Sequence, residues 1–193
     1  IAGFSKIKSD EFPDAELTAV PVTKIVPLSL GDRVCIDTCS LLAQGEGMLV
    51  GSQSSCLFLV CSESFESEYV NSRPFRVNAG AVHSYILCPD GTTRYLSEIV
   101  SGDAVLTRMP DGTLRSVSVG RVKIEIRPML LIEVEVNGRT HSVVLQNAET
   151  IRVGTPSGAV SVADLSVGDE VFVRLESGGR HFGHAMAETI CEK

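Results

Sequence analysis

The chain has 193 residues, 44% of them hydrophobic and 21% charged, with a formal net charge of −7. That supplies apolar material for one good core or two small ones. The acid excess without a basic cluster excludes binding along a nucleic-acid backbone, and no apolar run approaches the ~18–20 residues of a membrane span.

The opening IAGFSKIKSDEFPD carries acids, lacks the apolar centre of a secretory signal and does not begin with Met. Residues 1–16 therefore read as an extension or linker from an upstream region, and the chain as part of a longer product. Helix signals are scarce, because no sustained i, i+3, i+4 apolar face is found. Strand signals dominate. LTAVPVTKIVPL (17–28), interrupted by Pro21 and Pro27, reads as an edge strand or linker. MLVGS and SCLFLVCSES read as strands flanking a Gly/Ser/Gln loop. Hairpin turns are predicted at Asp111-Gly112 and Asn137-Gly138, each between alternating apolar runs.

One pattern recurs: LSLGDRVCID (28–37), IVSGDAVLTR (99–108) and LSVGDEVFVR (165–174). Glycine supplies a positive φ and the aspartate caps the turn, so each copy is expected to restart a strand at once. A single helical turn is expected before the last two, around Leu96 and Leu165. The fold class is accordingly mainly β, α+β at most, with barrel- or sandwich-like modules over 17–88 and 89–193.

The six cysteines form no C-x-x-C pair, and most lie in apolar strand-like runs. They are expected to be buried reduced thiols, as in a reducing compartment, and no metal site is expected. His181 and His184 lack a third ligand of fixed geometry.

Three stretches hold more polar chemistry than strands require. CIDTCSLLAQGEGMLVGSQSS (35–55) contains Asp37 and the glycines Gly45, Gly47 and Gly51, followed by Ser52. Its spacing fails a dinucleotide fingerprint and leaves either a bland glycine-rich loop or a phosphate or substrate loop. RPFRVNAGAVHSYI (73–86) places Arg73, Arg76, Asn78 and His83 around an expected Asn-Ala-Gly-Ala turn. Arginine suits carboxylates and phosphates, and histidine exchanges protons near neutral pH. In RVKIEIRP (121–128), Arg121, Lys123, Glu125 and Arg127 share one strand face, which is either a solvated face or a cationic binding face. LQNAETI (145–151) adds Glu149.

These segments, with YLSEIVSGDAVL, VGRVKIEIRPMLLIEVE and GDEVFVRLESGGRHFG, run in order along the chain and closely resemble 3-dehydroquinate synthase II, the archaeal-type, NAD-dependent dehydroquinate synthase family. The resemblance covers the C-terminal portion of longer proteins. It implies an oxidoreductase of aromatic amino-acid biosynthesis, in the shikimate pathway. Its substrate would be 2-amino-3,7-dideoxy-D-threo-hept-6-ulosonate, deaminated with NAD and closed to 3-dehydroquinate. A branch forming 3-amino-4-hydroxybenzoate, or a non-catalytic binding module of the longer enzyme, is the alternative. Under this resemblance Arg73 or Arg76 would clamp the carboxylate, Asn78 read hydroxyls, and Asp37 and Glu149 receive the ammonium. His83, then His181, would be the acid/base and Lys123 a carbinolamine partner. NAD would lie along Gly45, Gly47, Gly51 and Ser52, or in the upstream region. A homo-oligomer or association with the N-terminal portion is expected, in cytoplasm or plastid stroma.

Overall fold

The computed structural model describes residues 12–176. It is built of strands: β1 (Thr18–Thr38), β2 (Gly47–Gln53), β3 (Cys56–Cys61), β4 (Arg76–Ala81), β5 (Tyr85–Leu87), β6 (Thr93–Tyr95), β7 (Ala104–Arg108), β8 (Leu114–Val136), β9 (Arg139–Gln146), β10 (Arg152–Thr155), β11 (Gly158–Ser161) and β12 (Glu170–Leu175). Among the described residues the one helical element is a 3-10 turn at Leu96–Glu98. The mainly-β expectation therefore holds, and so does the helical turn at Leu96.

The pairings are antiparallel, and they close a ring in the order β3-β12-β1-β8-β7-β2 and back to β3. The β10–β11 hairpin extends β3, and the β5–β6 hairpin extends β2. β4 lies along the C-terminal half of β1, while β9 pairs with the C-terminal half of β8. A smaller apolar cluster joins Leu49, Leu57, Leu59 and Leu106, and a larger one, running in sequence from Val20 to Val173, fills the interior. Phe58, Ile36 and Ile132 in it are fully buried. The modules expected over 17–88 and 89–193 are stitched together by ladders, since β1 pairs with both β8 and β12.

Both predicted hairpins form. Asn137 (φ 51°) and Gly138 (φ 74°) turn β8 into β9, both left-handed as a two-residue hairpin requires. Gly112 (φ 90°) closes β7 to β8, with the Asp111 carboxylate accepting the Thr113 N–H at 2.8 Å.

The three Gly-Asp copies divide. Gly102 (φ 94°) and Gly168 (φ 98°) sit in turns where Asp103 and Asp169 accept the N–H of Val100 and Ser166, at 2.9 and 2.8 Å. The first copy is no turn: β1 runs through Gly31 uninterrupted, with a register shift between Pro27 and Leu30. The bulge absorbs Pro27, whose missing N–H the ladder cannot use. The stretch expected as an edge strand is therefore the first half of a 21-residue strand paired with β12 and then β8.

The Asn-Ala-Gly-Ala turn is likewise a bulge inside β4. Val34 pairs with Gly80 but Cys35 pairs with Asn78, so Ala79 is the extra residue. Gly80 takes φ 114°, and a Cβ there would lie 2.4 Å from the Val144 carbonyl oxygen of β9. Only glycine admits that approach.

Candidate active site

Alternation along three adjacent strands assembles one polar face. Asp37 of β1 is registered with Arg76 of β4 and Arg121 of β8; Cys35 with Asn78 and Lys123; Arg33 with Ala81 and Glu125. Residues two apart on a strand project to the same side, so these rows form a continuous surface behind the core residues Val34 and Ile36.

The first row is an ion-pair triad. Arg76 donates from Nε to Asp37 Oδ1 at 2.7 Å and from Nη2 to Oδ2 at 3.0 Å. Arg121 Nε donates to Oδ2 at 2.8 Å. Asp37 is buried, and burial alone would raise its pKa. The hydrogen bonds and charges of Arg76 and Arg121 outweigh that, so the carboxyl stays below its usual range. Arg76 is in turn held charged, chiefly by its hydrogen bond to Asp37.

The second and third rows join through β9. Gln146 Oε1 accepts from Arg33 Nη1 at 2.9 Å and from Asn78 Nδ2 at 2.8 Å. The other end of Arg33 pairs with the Glu125 carboxylate, which also faces Lys123 Nζ at 3.6 Å and Arg127 Nη2 at 3.1 Å. Cys35 is fully buried among them, and desolvation pushes its thiol up to about 11 against the pull of Arg33 and Arg76. It is a neutral packing group rather than a nucleophile.

Of the residues assigned substrate, cofactor or catalytic roles in the sequence, Asp37, Arg76, Asn78 and Lys123 thus share one face, together with Arg121 and Glu125 of the charged strand. The others lie elsewhere. Arg73 is tied to Glu63, through an isolated bridge and an Nη1–Oε2 contact of 3.5 Å. Glu149 follows β9, and its carbonyl accepts the Ser161 hydroxyl at 2.7 Å. With Glu63, Phe65 and Arg152 it lines a separate shallow cleft, where the Arg152 guanidinium lies 4.8 Å above the Phe65 ring.

His83, in the turn after β4, pairs through Nε2 with Ser52 Oγ of β2 at 3.1 Å. Partial desolvation of the ring lowers its pKa, although the residue stays open to solvent. His181 and His184 lie outside the described residues.

The glycine-rich segment has a packing explanation. A Cβ on Gly47 would meet the Val60 carbonyl oxygen at 2.1 Å, and one on Gly51 the Cys56 oxygen at 2.4 Å. The space these glycines leave is filled by the β3 backbone. Gly45 (φ 80°) is a turn residue, and β2 is followed by a hairpin to β3 rather than by a helix. A dinucleotide's pyrophosphate finds neither open backbone nor a helix N-terminus there. Between Gly45 and Gly47, the fully buried Glu46 anchors the loop. It accepts from Arg115 Nε and Nη2, both at 2.9 Å, from Thr107 Oγ1 at 2.7 Å and from the Ala43 N–H at 2.8 Å.

The sequence reading missed Arg33 and Gln146 as members of the face. Arg33-x-Cys35-x-Asp37 alternates with Val34 and Ile36, so the period-two signal was present. Gln146 carried no such signal, because its place depends on β9 crossing toward β4. Among the described residues, no three His, Cys, Asp or Glu side chains gather to hold a metal ion. Of the described cysteines, Cys35, Cys56, Cys61 and Cys88 are buried and free, while Cys39 is exposed.

Comparison with known proteins supplies the framework for this face. A family model described as the 3-dehydroquinate synthase II C-terminal domain matches residues 19–193. The chain belongs to that family. A 3-dehydroquinate synthase of Methanocorpusculum labreanum is 79% identical over 193 residues, covering 100% of this chain and 56% of its own length. The Methanosarcina barkeri relative of the same name is 59% identical over 179 residues, covering 92% of this chain and 47% of its own. That of Methanocaldococcus jannaschii is 57% identical over 178 residues, with 92% and 49% covered. No solved structure matches. The chain spans about half the length of these relatives, so the polar face belongs to one part of a 3-dehydroquinate synthase II architecture.

Proposed function

We propose that this chain is the C-terminal portion of a 3-dehydroquinate synthase II and that the β4–β1–β8 face binds its substrate. The observation that supports this most is the convergence of Asp37, Arg76, Asn78 and Lys123 on adjacent strands, in a chain belonging to that family. The substrate, 2-amino-3,7-dideoxy-D-threo-hept-6-ulosonate, presents a carboxylate, an ammonium and hydroxyls. The face offers the complement of each: guanidinium and ammonium donors for the carboxylate, acidic oxygens for the ammonium, and amides for hydroxyls.

The bonding within the face sharpens the roles. Two donor nitrogens of Arg76 are spent on Asp37, so Arg76 sets the position and charge of that carboxylate rather than standing free as a clamp. Lys123, 41% exposed and 3.6 Å from Glu125, is the cation with reach to the substrate carboxylate, and Arg121, bonded to Asp37 through Nε and Nη2 but 61% exposed at its side chain, is the second. Asp37, whose oxygens also accept from Arg76 and Arg121, is the acceptor assigned to the substrate ammonium. His83 lies two residues beyond β4, and its bonded partner is Ser52.

The overall change is a two-electron oxidation of the amino carbon, with water supplying the carbonyl oxygen and ammonia leaving, after which the methyl carbon beside the C6 ketone adds to the new C2 carbonyl to close the ring. NAD, the oxidant the family resemblance implies, is proposed as a cofactor of the longer enzyme. Gly45, Gly47, Gly51 and Ser52 do not form a cradle for it, and no step is assigned to them. A cytoplasmic setting agrees with the buried free thiols, and association with the upstream portion completes the site.

The test is turnover of aminated heptulosonate with NAD+ by the longer protein and by this chain, followed at 340 nm, with product mass identifying dehydroquinate. Dehydroquinate from the longer protein is the expected result. A longer protein that binds but does not convert the substrate would refute the assignment.

A further inference from the structure

Two buried polar atoms on the face lack partners among the described residues: Asn78 Oδ1 and Arg33 Nε. Asn78 is 3% exposed and Arg33 5%. Buried polar groups are nearly always paired, and an exception calls for a specific reason.

An amide flip does not remove this one. Arginine only donates, so the bond from Arg33 Nη1 fixes which end of the Gln146 amide is its oxygen. That oxygen then requires Asn78 to turn its Nδ2 inward, at 2.8 Å. Reversing Asn78 would set its oxygen against the Gln146 oxygen. Arg33 is fixed by Glu125 in turn, and the bulge at Gly80 places Asn78 in the row of Cys35 and Lys123. The chain Glu125–Arg33–Gln146–Asn78 therefore holds one orphan acceptor and one orphan donor on side chains tied to a single oxygen atom.

A carboxylate can only accept and an ammonium can only donate, so each would satisfy one of the two atoms. A hydroxyl does both. We propose that Asn78 and Arg33 form a subsite for one hydroxyl of a hydroxylated carboxylate, and that Gln146 is the positioning residue that locks the Asn78 amide in the receptive orientation. The subsite rests on the reading of the face as the substrate site. It adds a named recognition element, since a site built to bond a hydroxyl rejects the analogue lacking it.

The experiment uses the full-length protein and calorimetric binding of quinate, a ring acid with several hydroxyls, against its monodeoxy analogues. Turnover of aminated heptulosonate is measured in parallel. Wild type is expected to bind quinate at least ~10-fold more tightly than one of the deoxy analogues. Gln146→Met, which keeps the volume but removes the acceptor, should abolish that discrimination. Gln146→Glu, which keeps an oxygen between Arg33 and Asn78, should restore it and serves as the folding control.

Unchanged discrimination in Gln146→Met, or none in wild type, overturns the subsite. Should Gln146→Met fail to fold, Asn78→Ser replaces it, and unchanged discrimination in that variant overturns the subsite equally. A wild type that discriminates among the analogues but does not turn over aminated heptulosonate retains the subsite and removes the proposed reaction.

Discussion

Replacing Gly80 by Ala tests whether the bulge in β4 holds the face together. Gly80 has φ 114°, and a Cβ would lie 2.4 Å from the Val144 oxygen, with Leu145 Cδ2 at 3.1 Å. The left-handed backbone costs a non-glycine residue about 1–2 kcal/mol, and overpacking against a fixed backbone atom about 1–3 kcal/mol more. Gly138 supplies the comparison: its φ is 74° and nothing lies within 4 Å of its would-be Cβ. Gly138→Ala should therefore cost the strain alone, about 1–2 kcal/mol. Urea unfolding of both variants gives the difference, with the m value checking that the denatured state is unchanged. Gly80→Ala should lose roughly 2–5 kcal/mol, or roughly 5–15 °C in Tm for a domain of this size. If it is no more costly than Gly138→Ala, β9 does not press on β4 as described, and the placement of Gln146 against Asn78 fails with it.

Three further outcomes follow from the site. Asp37 has a lowered pKa in the fold, so its contribution to stability is present above the unfolded carboxylate value of ~3.9 and is lost as pH falls through the folded value; Asp37→Asn should flatten acid unfolding below pH ~4 and cost about 3 kcal/mol at neutral pH by leaving Arg76 uncompensated. His83, lowered by desolvation, acts in the same sense at a higher pH, its share fading as pH drops below ~6.5; His83→Ala should remove that dependence, and an unaltered stability profile would show that the ring is fully solvated. In the folded protein, thiol labelling read by mass spectrometry should modify Cys39 while sparing Cys35, Cys56, Cys61 and Cys88, the thiols of Cys56 and Cys61 each being pushed up to about 12 by burial; rapid labelling of Cys35 would contradict its burial between Arg33 and Asp37.

What the sequence disclosed depended on how local each signal was. Asn137-Gly138 and Asp111-Gly112 need only their own φ angles to form turns, and both were legible. Pro27, Gly31 and Gly80 looked like breaks, yet bulges absorb two of them and Gly31 carries an ordinary backbone, so β1 and β4 run further than punctuation implied. On the face, Lys123 was legible from strand alternation, and Asp37, Arg76 and Asn78 from stretches holding more polar chemistry than strands require. The Arg33–Gln146–Asn78 link was not, since it joins residues 113 and 68 positions apart. No pattern along one strand encodes how a third strand crosses another. The glycines at 47 and 51 mimic a ligand loop for a related reason: close approach of another backbone and of a phosphate demand the same missing side chain.

The most direct measurement of the central claim is a crystal structure of the full-length protein with aminated heptulosonate bound. Ligand oxygen within hydrogen-bond distance of Asn78, and the substrate carboxylate beside Arg121 or Lys123, is the predicted result. Ligand lodged in the cleft of Glu149 and Arg152, with the β4–β1–β8 face untouched, would contradict it.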